Sequence, residues 1–61
     1  MKTGDTILSF RKQEWTFVRV SRVADKEAGR DGKVIVKDEF DREREFYWTV
    51  FPDYDFTKVE S

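Results

Sequence analysis

The chain has 61 residues, enough for a single domain spanning residues 1–61, and it contains neither cysteine nor histidine. Disulfides, thiolate metal sites and the usual zinc ligand sets are therefore excluded. Charged residues make up 41% of the chain but nearly cancel to −1, which argues against bulk attraction to nucleic acid or anionic lipid. No apolar run is long enough to cross a bilayer, and no signal region follows the first residues. We therefore expect a cytoplasmic protein with no membrane contact and no cofactor.

Aromatic side chains are the main source of apolar surface in this small chain. There are six Phe, two Trp and two Tyr, and each can bury roughly 150–250 Å². A domain of this size buries only about 60% of the surface that its unfolded chain exposes. We expect the remaining stability to come from aromatic packing or from self-association.

The first half of the chain predicts two strands. Residues 6–10 follow a turn at Gly4-Asp5 and form the first strand. Residues 15–23 give the strongest strand signal because they are dense in β-branched and aromatic side chains and lack Gly and Pro. Residues 24–32 predict a loop that ends in a tight turn at the Asp-Gly pair 31–32.

A third strand is predicted at residues 33–37, followed by an acidic stretch. Residues 38–45 form either an acidic loop or an extended hairpin tip with Phe40 anchored inward. The alternating charges of residues 41–45 are typical of an exposed strand or turn rather than of an acid/base pair.

A fourth strand is predicted at residues 46–51, and Pro52 stops it because proline cannot donate to a ladder. Residues 54–56 form either a single helical turn or the start of a short fifth strand that runs through Val59.

The alternation of side chains in the second strand has two interpretations. Val18 and Val20 lie on one face, while Trp15 and Phe17 lie on the other. A β-bulge near Phe17–Val18 would turn all four partly inward. A regular strand would instead leave Trp15, Phe17 and Arg19 as an exposed stripe. We favour the bulge, because exposing two large aromatic residues is unfavourable without a partner.

Four short segments together resemble an SH3-like small β-barrel of the Tudor and KOW style. They are Gly4-Asp5, Trp15-x-Phe17-x-x-Val20, Gly32-Lys33-Val34-Ile35-Val36 and Phe51-Pro52-Asp53-Tyr54. The resemblance implies an all-β, five-stranded barrel with a strongly bent antiparallel sheet. An aromatic cage for a cationic side chain is the Tudor-like form of recognition that it suggests.

The residue types favour binding over catalysis. A nucleophile needs an adjacent base, and histidine is absent. Aromatic residues and arginine are enriched where proteins bind one another. We therefore predict a non-enzymatic module that binds a protein or peptide partner, or a second copy of itself as a homodimer. The predicted binding residues are Trp15, Phe17, Arg19, Tyr47 and Tyr54.

The alternative function is nucleic-acid binding. The amino-terminal third of the chain is the most basic part, and cations beside aromatic rings are typical of single-strand binding. The residues predicted for this alternative are Arg11, Lys12, Arg19 and Arg22.

Overall fold

The computed structural model describes residues 2–58 and contains one antiparallel sheet in the order β1-β2-β3-β4. The strands are β1 (Thr6–Leu8), β2 (Glu14–Arg22), β3 (Lys33–Lys37) and β4 (Glu43–Tyr47), and two 3-10 turns follow at Trp48–Val50 and Phe56–Lys58. The all-β class is confirmed. Within residues 2–58 the sheet has four strands rather than five, and it is not closed into a barrel.

Both short hairpin turns are held by a side chain that accepts hydrogen bonds from the backbone of the turn. In the β1–β2 turn, Ser9 Oγ accepts from the Arg11 N–H at 3.3 Å. In the β3–β4 turn, Asp38 Oδ1 accepts from the N–H groups of Phe40 and Arg42, at 2.8 and 3.0 Å. Short polar side chains favour turns because they offer the backbone this bonding.

Each of these turns also places one non-glycine residue in the left-handed backbone region. Lys12 has φ 64° and Asp41 has φ 62°. A residue with a Cβ is strained there, whereas glycine is not. Both turns are therefore less stable than the same turns would be with glycine at these positions.

The sheet has two ends of different construction. Because the strands run up and down in order, the β1–β2 and β3–β4 turns lie at one end and the β2–β3 connection lies at the other. We call residues 9–16 and 37–42 the turn end. We call residues 22–33 and 47–49 the loop end.

The β2–β3 loop turns earlier than the sequence predicts. Its tight turn is closed by Asp25 and Arg30, which exchange backbone hydrogen bonds of 3.0 and 2.9 Å, with Gly29 at φ 68°. The expectation of a tight turn at residues 31–32 is wrong, because Gly32 is buried and has another role.

The Trp48 ring packs directly against the backbone of Gly32. A Cβ at Gly32 would overlap the indole. The Trp48 backbone N–H donates to the Gly32 carbonyl at 2.9 Å, and Trp48 Nε1 donates to the Lys33 carbonyl at 3.2 Å. Trp48 therefore ends the strand region and closes the loop end.

The second strand is bent, as its sequence predicts. Its pairing with β3 shifts register between Phe17 and Arg19 and again further along the strand. The bulge expected near Phe17–Val18 is confirmed. It lets Phe17 and Val20, three residues apart, lie on the same face of the sheet.

One face of the sheet carries the core. Its buried residues are Ile7, Phe17, Val34, Val36, Phe51 and Phe56. Two of them, Phe51 and Phe56, come from the segment after β4, and the Phe56 ring stacks on Phe17 with centroids 6.0 Å apart. Residues 51–58 therefore cover the core without forming a strand, and a helical turn, at Phe56–Lys58, stands where the sequence allowed either such a turn or a fifth strand. Val59 lies outside the described residues.

The same segment covers the free edge of β1. The Phe10 N–H donates to the Val50 carbonyl at 2.9 Å. The Leu8 N–H donates to the Tyr54 hydroxyl at 2.9 Å. The sheet therefore has one covered edge, at β1, and a second edge at β4.

Candidate functional site

Trp15, Phe17 and Arg19 do not form the exposed stripe that a regular second strand would produce. Phe17 is 1% exposed and belongs to the core, so its placement on a binding surface is wrong. Trp15 is half-buried and contacts Phe46 edge-to-face, with ring centroids 5.0 Å apart. The bulge is the physical reason. It turns Phe17 inward together with Val20, and Trp15, two residues earlier, shares the face of Phe17.

The remaining predicted binding residues are divided between surface and core. Arg19 lies opposite Ile35, and Tyr47 lies opposite Lys33, which places both on the outer face of the sheet. Tyr47 is 47% exposed, and Lys33 Nζ lies 5.1 Å from its ring centroid. Tyr54 is half-buried, and its hydroxyl already accepts a hydrogen bond from the Leu8 N–H at the β1 edge. Only Arg19 and Tyr47 share an exposed face.

The four basic residues of the nucleic-acid alternative do not form one patch. Arg11 and Lys12 lie in the β1–β2 turn, at the turn end. Arg22 is the last residue of β2, at the loop end, where its Nε donates to the Asp31 carbonyl at 2.9 Å. Arg19 lies between them on the outer face.

A groove of about 590 Å³ opens at the turn end, where β2 and β3 separate beyond the Thr16–Lys37 pair. We call it the turn-end groove. Its lining residues are Thr6, Gln13, Glu14, Trp15, Thr16, Lys37, Asp38 and Glu39. Carboxylates, hydroxyls and an amide surround one indole, which gives the groove both hydrogen-bonding groups and an apolar surface.

Trp15, which lines this groove, carries a hydrogen-bond donor that has no acceptor within residues 2–58. Its Nε1 is buried and has no hydrogen-bond partner, and it is the one buried side-chain polar atom in this state among the residues that the structure describes. A buried donor without a partner costs about 1–3 kcal/mol. Such groups are rare in folded proteins and mark sites of strain or function.

An exposed phenylalanine lies in each hairpin turn beside the groove. Phe10 is 57% exposed and Phe40 is 68% exposed. An arginine lies over each ring: Arg11 Cζ is 5.4 Å from the Phe10 centroid, and Arg42 Cζ is 5.2 Å from the Phe40 centroid. The turn end therefore presents two aromatic and guanidinium pairs to solvent.

Some of the charged side chains that line the groove form ion pairs, whereas others have no partner of opposite charge in the described part of the chain. Lys37 forms an ion pair with Asp41 at 3.3 Å. Across residues 2–58, neither Glu14 nor Glu39 has a cationic group within 4.0 Å. The groove therefore has negative charge available to a ligand.

Asp38, by contrast, is engaged by its own turn. The Arg42 N–H donates to its carboxylate and is the main reason that its pKa is lowered, and the Phe40 N–H adds to the effect. The guanidinium groups of Arg42 and Arg44, at 3.3 and 3.8 Å, lower the pKa further, whereas partial burial opposes the shift. Asp38 shapes the turn rather than offering a free charge.

The chain has no match among protein-family models, curated proteins or solved structures. Residues 2–58 contain no helix long and apolar enough to cross a membrane. The same residues contain no group of three or more side chains able to hold a metal ion. The cytoplasmic location expected from the sequence stays a prediction.

Sequence analysis missed the turn end. Phe10 was assigned to a strand, and one of the two alternatives for residues 38–45 anchored Phe40 inward, yet both side chains are exposed. The available signal was local: each Phe lies within two residues of an Arg, among Ser, Asp and Lys residues that favour turns. The groove itself had no sequence signal, because it depends on where β2 and β3 separate.

Proposed function

We propose that this chain is a non-enzymatic interaction module that binds a protein partner through its turn end. The observation that supports this most strongly is the exposure of Phe10 and Phe40 at the two turns beside the groove. Aromatic residues and arginine are enriched at protein interfaces relative to the rest of the protein surface. Burying two phenyl rings against a partner removes from water the apolar area that this end exposes.

The turn-end groove adds hydrogen-bonding capacity to this surface. Trp15 Nε1 lacks an acceptor in the free protein. A partner carbonyl that reached this nitrogen would satisfy it. An arrangement of apolar anchors around a few polar groups is what interface centres use.

The absence of histidine and cysteine from the sequence supports a binding role over an enzymatic one. A second copy of the chain and a nucleic acid are the other occupants to consider. The separation of Arg11 and Lys12 from Arg22 favours a protein over a nucleic acid, because a phosphate backbone requires a continuous basic track.

We also propose that the sheet and the segment that follows it are a variant of the SH3-like small barrel. The up-and-down strand order and the return of Val50 and Tyr54 to the β1 edge support this. Short proton–proton contacts between a carboxy-terminal strand and β1 in solution would support closure. A carboxy terminus without such contacts would contradict it.

Photo-cross-linking tests the proposed binding end. Benzoyl-phenylalanine replaces Phe10 or Phe40 in living cells that produce the protein. Val23, 68% exposed at the loop end, is the matched control position. We expect discrete protein adducts from positions 10 and 40 and none from position 23.

Adducts of equal yield from all three positions, or nucleic-acid adducts in place of protein, would contradict the proposal. Adducts with the chain itself would identify the partner as a second copy. Because all three side chains are exposed, the replacements are expected to change the free energy of unfolding by less than about 0.5 kcal/mol.

A further inference from the structure

The two edges of the sheet differ in how their backbone groups are satisfied. The β1 edge donates to Val50 and Tyr54. The outer edge of β4 (Glu43–Tyr47) has no hydrogen bond from its backbone to any other segment within residues 2–58. A five-residue edge with free N–H and C=O groups is a template for another strand.

The charges of β4 argue against a second copy as that strand. Consider an antiparallel dimer of two β4 strands related by a twofold axis perpendicular to the sheet. Residues directly opposite each other must point to the same face, so the axis lies between two copies of one and the same residue. An axis at Glu45 would pair Glu45 with Glu45, and an axis at Arg44 would pair Arg44 with Arg44. An axis at Phe46 would pair Phe46 with itself and place Tyr47 opposite Glu45, so no register of a second copy places a cation opposite Glu45 within β4. Like charges placed directly opposite each other are destabilising.

The outer face of β4 defines the complementary charge. Glu43 and Glu45 both point to this face, because they lie opposite Lys37 and Ile35 of β3. The Lys37 ammonium group is directed to Asp41, at 3.3 Å. Glu43 itself has no cation within 4.0 Å among the described residues.

Glu45 is partly neutralised by its neighbours. The Ser21 hydroxyl donates to it and is the main reason that its pKa is lowered, and Lys33 Nζ lies 3.7 Å away. Glu43 therefore supplies most of the unpaired negative charge on the outer face of β4. On the other face, Phe46 is half-buried beside the core and offers an apolar neighbour to an added strand.

We infer that β4 accepts an extended segment of a heterologous protein, with Lys or Arg facing Glu43 and Glu45 and an apolar residue beside Phe46. The added strand gains affinity from main-chain hydrogen bonds and specificity from the alternating side chains. This inference rests on the proposed function and names the chemistry of the partner. It uses a surface separate from the two turn phenylalanines.

The test uses a synthetic peptide of about seven residues with alternating Lys and Val and blocked ends. Backbone amide shifts and hydrogen exchange are measured by NMR on the whole chain. We expect protection of alternate amides in β4. A peptide in which Glu replaces every Lys should bind at least about threefold more weakly, because it places like charges opposite Glu43.

Glu43→Lys and Glu27→Lys are matched variants. Both remove an exposed carboxylate and change the net charge equally, but Glu27 lies in the β2–β3 loop. We expect Glu43→Lys to weaken binding of the Lys–Val peptide about three- to tenfold, and Glu27→Lys to change it less than about twofold.

Equal effects of the two variants, equal binding of the two peptides, or protection outside β4 would overturn the inference. Absence of binding would overturn it as well. These results leave the cross-linking at Phe10 and Phe40 unaffected, so failure of the strand-addition inference is distinguishable from failure of the proposed function.

Discussion

The two ends of the sheet each hold a half-buried tryptophan, yet the fold satisfies them differently. At the loop end, Trp48 lies on Gly32, and its Nε1 donates to the Lys33 carbonyl at 3.2 Å. At the turn end, Trp15 contacts Phe46, but its Nε1 has no partner. The loop end satisfies its tryptophan within the fold, whereas the turn end retains a donor that the fold leaves unsatisfied.

Other features of the turn end follow the same pattern. Lys12 and Asp41 have positive φ. Phe10 and Phe40 expose phenyl rings there, whereas the large apolar side chains exposed at the loop end are Val23 and Tyr47, and the Tyr47 ring is partly covered by Lys33. Departures from local preference of this kind concentrate at functional sites. The contrast between the two ends is therefore the physical basis for placing the binding surface at the turn end.

The largest expected effect is at the loop end. Gly32→Ala forces a Cβ into the Trp48 ring, and we expect the free energy of unfolding to fall by about 2–3 kcal/mol. Urea denaturation monitored by circular dichroism measures it. In a Trp48→Leu background the smaller side chain leaves room, so the same substitution should cost less. A Gly32→Ala protein as stable as the parent would show that the two ends do not differ in packing as described.

The pH dependence of stability tests the role of Asp38 at the turn end. Because its pKa in the folded state is lowered from the ordinary value of 3.8, its ionised form stabilises the fold above that value. This stabilisation is lost as the pH falls through 3.8 toward the folded-state pKa. Asp38→Asn keeps an oxygen acceptor for the turn but does not titrate.

We therefore expect the urea midpoint of the parent to fall more steeply than that of Asp38→Asn between about pH 5 and pH 2. The measurement is a series of urea transitions across this range. Parallel curves for the two proteins would contradict the role given to Asp38 at the turn end.

The smallest expected effect comes from relieving backbone strain. Asp41→Gly should raise the free energy of unfolding by less than Lys12→Gly does, because it also removes the exposed ion pair with Lys37. Lys12→Gly should raise it by about 0.5–1 kcal/mol, because glycine tolerates positive φ. Lys26→Gly, in the β2–β3 loop and without a positive φ, is the control and should lower it by a similar amount. Destabilisation by all three glycine variants would remove the evidence that the turn end holds strain.

The sequence predicted those parts of the fold that depend on local pattern. The bounds of β3 and the bulge in β2 are confirmed. The alternating charges of residues 41–45 were interpreted as an exposed strand or turn, and β4 begins among them at Glu43. The fourth strand nevertheless ends at Tyr47, because the residues after it seat Trp48 on Gly32.

The candidate site was less predictable because it depends on contacts between distant segments. Phe17 was predicted as a binding residue, yet Phe56, which lies 39 residues further along the chain, stacks on it in the core. The expected fifth strand is replaced, within residues 2–58, by a 3-10 turn at Phe56–Lys58. Phe51 and Phe56 complete the core from this irregular segment, which no strand pattern could reveal.

Trp15→Phe and Trp48→Phe together test whether the two ends of the sheet differ in how they satisfy an indole N–H. Both substitutions remove the same atoms from half-buried positions, but only Trp48→Phe removes a hydrogen bond, while Trp15→Phe removes an unsatisfied donor. We expect Trp48→Phe to lower the free energy of unfolding by about 1–3 kcal/mol more than Trp15→Phe does. Equal losses, or a larger loss from Trp15→Phe, would contradict the claim that the turn end holds the groups that the fold leaves free for a partner.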